Sequence, residues 1–550
     1  MAHIVDPHLA PLAYGRTKVL SEGGAVGLED IDDWYGRGSL STRPEAFEDY
    51  PTSQEERNNH SEEELVAFSR SCFVPGALAP QFQWLPCEVA FVVGEEEEEE
   101  EEASSRRPKV RIMSYINDLH PHNQAPAYGA IANVIGAAIA SWNDILVPHW
   151  EPPLSIRIPP RIKTYGVQYP PSLPAFEEKF WEVKHSRADK EELPPILRQL
   201  EEEAASGKVV SRAELYPGIC GYPYTHSGPH TGRWEFSKRL IHPEPGVSFS
   251  YEEWKKGGQN VNRAIVPCRS EPEADYEQQQ DSVSLQTEFR DCGLQVVIRI
   301  TSIDLTPQAS RFEDERDKPG GRGGGGGYTW HAADGMVTDY IVATTLVFFD
   351  LDNIDPLRIL FGQPSYLEDS DFRESDHGDY NSIMEVFDFG EWDWSHILCQ
   401  PRGLPRMQEL GSVVARKGRM VSFPGPVYYR FEECELLDPS KPGAARYIPL
   451  YLVEPNYRVC STRNVPPQRR DWWAYDVARK APQGLGELPP ELFDEIIKNV
   501  DGDGMLDSDE LEKVRDAMRA ERRENAEEIR DHIGSYRWCY DPDDIFYDND

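Results

Sequence analysis

The chain has 550 residues, 57 basic against 96 acidic, for a formal net charge of -39. That length allows two or three domains with a large core. The charge repels phosphate backbones and anionic lipid surfaces, so neither nucleic acid nor membrane is expected as a partner. The nine cysteines are scattered without a CxxC pair, which points to reduced thiols rather than a disulfide framework or zinc finger. The opening stretch MAHIVDPHLAPLAYGRTKVL has no basic-then-apolar layout. The most apolar helical stretch, around Ile131 to Trp142, is too short to span a bilayer. The expectation is a cytoplasmic protein, with the nucleus as the alternative.

In chain order, residues 1 to about 80 are mixed and rich in Pro and Gly, with an acidic helical piece near Glu62 to Phe68. FQWLPCEVAFVV and KVRIMSYI read as strands, and the eight glutamates from Glu95 to Glu102 between them read as a solvated hairpin insertion. HPH at His120 to His122 reads as a turn with exposed histidines, where metal binding is the less frequent case. Tyr128 to Val147 reads as a buried helix, and a charged helix follows near Lys190 to Ala205. HSGPHTGRW has two His four apart, but Gly228 and Pro229 between them exclude one helical face. LQVVIRITSIDL, YIVATTLVFFDLD, GSVVARKG, RMVSFPG and RYIPLYLVEP are short β-branched and aromatic runs bounded by turn residues. A barrel or jelly roll is the natural reading of that half. The KPGGRGGGGG between the first two lacks the Lys-Ser/Thr and helix start of a phosphate loop. DWWAYD reads as packing rather than base stacking, since no basic groove accompanies it.

The segment from Asn499 to Glu510, NVDGDGMLDSDE, fits an EF-hand loop. Asn499, Asp501 and Asp503 fall at positions one, three and five. Gly504 takes the sharp turn at six, Met505 offers a carbonyl at seven, Asp507 ligates at nine and Glu510 closes the shell at twelve. Apolar stripes flank the loop: Leu492, Phe493, Ile496 and Ile497 before it, and Leu511, Val514 and Met518 after it. Asn499 in place of the usual Asp removes one charge and lowers the expected Ca2+ affinity. Leu506 at position eight is the residue that ordinarily pairs with a second loop. No second complete loop is found, so a lone hand would either bind weakly or pair across a dimer.

TWHAADGMVTDYIVATTLVFFD, together with ELGSVVARKGRMVSFPGPVYYRFEECELLDPSKPGAARYIPLYLVEP and STRNVPPQRRDWW, resembles the domain of unknown function 4246 family, a large, mainly fungal group. YGRTKVL, FQWLPCEV and SYINDLHP extend the resemblance over residues 1 to about 475. That family in turn looks like the double-stranded β-helix of iron- and 2-oxoglutarate-dependent dioxygenases, which hold Fe(II) with two His and one carboxylate. The resemblance implies His331 as the first iron ligand and Asp334 as the acid, with Asp339 as an alternative. Two residues separate His331 from Asp334 where one is expected. In FPGPVYYR, Tyr429 stands where the second His belongs, followed by Arg430. Arg446 stands where a base binding 2-oxoglutarate is expected. A phenol ligates Fe(II) poorly at neutral pH, so the resemblance implies a fold kept and a metal lost.

The fold class expected is therefore α+β: a double-stranded β-helix, jelly-roll-like core at about 290–460 within a region 1–475, surrounding helices, and an EF-hand helix-loop-helix at 485–535. The function expected is calcium binding attached to a degenerate dioxygenase-like domain, with Ca2+ as the cofactor. The alternatives are an active iron/2-oxoglutarate-dependent oxygenase with an unusual metal site, needing Fe(II) and 2-oxoglutarate, and a structural scaffold. A protein partner is expected without an identity.

Overall fold

The computed structural model describes residues 2–21, 24–42, 81–92, 108–147, 283–312, 339–364, 407–480 and 504–535, together with a few shorter stretches. Two compact units form. One comprises Met1–Pro159, Glu277–Gly362 and Ser412–Ile533; the other comprises Pro160–Tyr276, Gln363–Gly411 and Gly534–Asp550. In the second unit, Gly166–Gln168 and Arg239–Ile241 pair as an antiparallel ribbon.

The first unit is built on an eight-stranded antiparallel sheet. Its strands are β1 (Ala2–Val5), β2 (Cys87–Phe91), β3 (Val110–Ile112), β4 (Leu294–Ile298), β5 (Ile300–Leu305), β6 (Ile341–Asp352), β7 (Met420–Pro424) and β8 (Gly443–Val453). β4 and β5 are nearly one strand, interrupted at Arg299, and together they line one edge of β8. β6 pairs along the other edge of β8 from Ile341 to Asp352 and carries β7 on its far side. β2 and β3 extend the sheet from β4, and β1 extends it from β5. The result is an α+β fold whose antiparallel sheet curls partway round. Most strand runs read from the sequence fall on these elements; the start of GSVVARKG lies instead in a strand, Met407–Val414, outside this sheet. FQWLPCEVAFVV is split, because Phe82–Gln83 pairs with Leu12–Ala13 while β2 joins the main sheet. The glutamate run and the glycine-rich loop lie outside the described residues.

The long helix α1 (Ala125–Ile145) fills the curl. Its Tyr128, Ile131, Ile135, Ala138, Ile139, Trp142 and Ile145 recur at helical spacing and are all buried. They meet Val296, Ile298, Ala343, Val347, Leu450 and Leu452 from the sheet in one core. Burying side chains of this size stabilises the fold by about 1.5–3 kcal/mol each. Gly136 lets the helix approach the chain at Pro108, whose carbonyl oxygen would lie 2.5 Å from an added Cβ. The Trp142 indole donates to Thr345 Oγ1 at 2.9 Å, so the largest ring in the helix is buried without losing its polar partner.

Helix α2 (Arg470–Lys480) follows the sheet, and helix α3 (Ser508–Ser535) comes later. α3 belongs to the core of the first unit. Met518 is fully buried with Trp84, Tyr451, Ile341 and Val297. Arg522 lies over the Trp84 ring at 4.0 Å and pairs with buried Asp339 at 2.6 Å. Arg519 reaches Asp6. Among the described residues no helix is long and apolar enough to cross a membrane. Cys87, Cys292, Cys434 and Cys460 are free thiols.

Two expected outcomes follow from this packing. Met518→Ala should destabilise the fold by about 2–5 kcal/mol, the cost of a large-to-small change in a closed core, read as a lowered urea midpoint. The second concerns acid. Burial first, with Arg299 next, pushes His3 down to about 3, and burial also lowers His8. The unfolded chain takes up protons on these rings below about pH 6.5 while the folded chain does not, so stability should fall as pH drops from 6.5 toward 3. A His3→Asn variant should show a flatter decline in melting temperature over that range.

Candidate metal centre

Three side chains from separate segments converge beside α2. Asp32 comes from a short helical turn, Ile31–Asp33, pinned by the fully buried Ile31. His122 comes from the turn between β3 and α1. Asp476 comes from the inner face of α2, one turn beyond Trp472, whose buried ring packs with Val26, Ile31 and Tyr115. One ligand atom from each of Asp32, His122 and Asp476 lies within 4.8 Å of the other two.

The hydrogen bonds divide each carboxylate in two. Asp476 Oδ2 accepts from the Tyr35 hydroxyl at 2.9 Å, and His120 Nε2 lies 3.4 Å from it. Asp32 Oδ2 accepts from Arg479 at 3.1 Å and meets Lys480 Nζ at 2.6 Å. The other oxygens, Asp32 Oδ1 and Asp476 Oδ1, are buried without a hydrogen bond, as is His122 Nε2. Buried polar atoms are nearly always satisfied, so three unsatisfied ligand atoms on clustered residues make this a candidate place for a bound ion. The side chains of Asp32 and Asp476 are only 4% and 1% exposed, so water does not serve them freely.

Protonation suits ligation. Burial, then Arg479, lowers the pKa of His122, which keeps the ring neutral with a lone pair to offer. Burial pushes the Asp476 carboxyl up, but His120 and Tyr35 outweigh it and hold it below its usual value. Burial and Asp476 raise Tyr35, which stays a phenol and a donor. His120 Nδ1 accepts backbone N–H groups of His122 and Asn123 at 3.2 and 3.3 Å. Its proton in the neutral form therefore sits on Nε2, facing Asp476. Trp472 and Tyr475 pack edge-on against the same ring at 5.0 and 4.9 Å.

The sequence had pointed elsewhere. The HPH turn is not exposed: His120 is 4% accessible, because the aromatic residues of DWWAYD close over it. The signal was present in both motifs, but neither names the other, and nothing local distinguishes Asp32 from its acidic neighbours. His331 and Asp334 lie outside the described residues. Tyr429 sits on a strand, Tyr428–Phe431, paired with Arg358–Pro364, and its buried ring packs with Phe423 and Phe431. Arg446 stands on β8 opposite Asp350, to which it donates at 2.7 Å, with Asp304 at 3.7 Å.

The expectation of calcium binding through an EF-hand, with Ca2+ as the cofactor, is overturned. The group among the described residues that could hold a metal is Asp32, His122 and Asp476, and its imidazole suits a transition metal better than the all-oxygen shell of calcium. No EF-hand helix-loop-helix is present among the described residues. Asn499, Asp501 and Asp503 lie outside them. Gly504 does adopt φ +85°, and Met505 is buried. The acids beyond are engaged otherwise. Asp507 Oδ1 accepts from the Glu510 N–H and Glu510 Oε2 accepts from the Asp507 N–H, both at 2.9 Å. That reciprocal pair is a capping box starting α3. Leu506 bridges to the entry of α2, donating to Gln468 O at 2.6 Å and accepting from Arg470 N.

Residues 1–476 match the model of a family described as protein of unknown function (DUF4246), and the chain belongs to that family. No curated protein and no solved structure matches the chain.

Removing a ligand should show in metal binding directly. His122→Ala and Asp476→Asn are expected to weaken binding of an added divalent ion by more than about tenfold, measured by calorimetry. Glu510→Gln is expected to leave it unchanged.

Proposed function

We propose that this member of the DUF4246 family is an iron/2-oxoglutarate-dependent oxygenase with an unusual metal site, in which Asp32, His122 and Asp476 hold the metal. The supporting observation is the convergence of three unsatisfied ligand atoms, two carboxylate oxygens and one imidazole nitrogen. A set of one nitrogen and two oxygens without thiolate suits Fe(II) or Mn(II) better than the softer ions. It differs from the two-His, one-carboxylate triad by exchanging one imidazole for a carboxylate. The curled antiparallel sheet supports a double-stranded β-helix as the core of 290–460.

Iron bound there would supply activation of dioxygen at coordination positions the protein leaves open. The chain's own residues do the rest. Tyr35 and His120 fix Asp476 so that one oxygen faces the site. Neutral His122 offers its Nε2 across from it. Buried Trp472 packs on His120 and covers that side of the ring. Tyr429 and Arg446 take no part in this proposal.

The full-length protein should purify with about one iron per chain, since one such group is present among the described residues, and should convert 2-oxoglutarate to succinate when Fe(II) and oxygen are supplied. Asp32→Asn should lose both iron and turnover. A wild type that takes up no iron and forms no succinate would sink the proposal.

A further inference from the structure

Helix α2 brings to the site two cations as well as a ligand. Arg479 and Lys480 follow Asp476 by three and four residues, which places them on its face of the helix. Lys480 Nζ lies 2.6 Å from Asp32 Oδ2, and Arg479 donates to the same oxygen at 3.1 Å. Arg479 Nε also lies 3.5 Å from Asp476 Oδ1. Asp33, at the rim, meets Lys480 at 3.4 Å. Two carboxylates this deeply buried and this close repel each other unless positive charge lies beside them. Arg479 and Lys480 match them charge for charge.

The mobility of the two kinds of group differs. The acids have side chains 4% and 1% exposed, whereas those of Arg479 and Lys480 are 41% and 51% exposed on long flexible stems. The cations can withdraw into water and the carboxylates cannot. Lys480 and the Arg479 Nη2 hydrogen bond hold the Oδ2 of Asp32, which leaves its Oδ1 without a hydrogen bond.

We propose that Lys480 and Arg479 are built-in counter-cations of the metal centre. They neutralise Asp32 and Asp476 before a divalent ion arrives, and they set by electrostatic competition how tightly that ion is held. This rests on the reading of Asp32, His122 and Asp476 as a metal site, and it adds regulation of that site's affinity. A divalent ion entering beside two carboxylates already matched by two cations adds two positive charges, offset only in part by exposed Asp33. Each cation at the rim then repels the ion through partly screened solvent. Removing one should tighten metal binding, the opposite of what loss of a merely structural contact would do.

The test uses the full chain stripped of metal and titrated with Mn(II), which is stable in air. Lys480→Gln is expected to bind Mn(II) about tenfold more tightly than wild type. It should melt lower than wild type without metal and recover when metal is added. Arg479→Gln should move affinity in the same direction. Lys417→Gln, which removes a cation paired with Asp350 beside β7, should bind like wild type. Unchanged or weaker binding in Lys480→Gln, with normal binding in wild type, overturns the counter-cation role alone. Equal tightening in Lys417→Gln overturns it too, because overall charge would then account for the effect. Absence of Mn(II) binding in wild type and variants alike overturns the metal site and this role together.

Discussion

Strand β8 is the constraint to which the rest of the first unit is fitted. Hydrogen-bonded along one edge to β4 and β5 and along the other to β6, it has no free edge and is buried over most of its length. The inward side chains Leu450 and Leu452 of β8 meet α1 through a single apolar core. On the other face, Tyr447 packs with Phe348 and Phe431, and Tyr451 packs with Trp84 at 5.0 Å. A one-residue slip of β8 would exchange these two faces and lose both cores.

The candidate metal centre depends on that framework at one remove. β3 leads through a tight turn, with Asp118 at φ +65°, into the HPH segment. Arg469, at the entry to α2, pairs with Asp118 and Asp471, which ties the segment carrying His122 to the helix carrying Asp476. The bridge from Leu506 to the same entry adds α3 to this arrangement. A ligand set assembled from three segments is held by packing and ion pairs around it, not by a local loop. That is why burial of two carboxylates is tolerated there: Tyr35, His120, Arg479 and Lys480 each take a share of their charge.

In the NVDGDGMLDSDE segment the described residues begin at Gly504. Gly504 takes the left-handed turn the pattern requires. Asp507 and Glu510 bond reciprocally to each other's backbone N–H at the start of α3. A carboxylate at the start of a helix has two uses, capping and ligation, and residue spacing is the same for both.

Much of the fold was legible because its signals are local. Alternation and β-branched content marked β4 to β8, and helical spacing marked α1, since side-chain period reflects which face a residue buries. Family membership was legible in strings such as SYINDLHP and RYIPLYLVEP. The metal centre was not. Asp32, His122 and Asp476 are distant in sequence, and each sits in a stretch with an ordinary local explanation: an acidic turn, a His-Pro-His turn, an aromatic helix. Only the tertiary structure decided which carboxylate oxygens lose water and find no donor, because burial and convergence are properties of packed segments and not of any one of them.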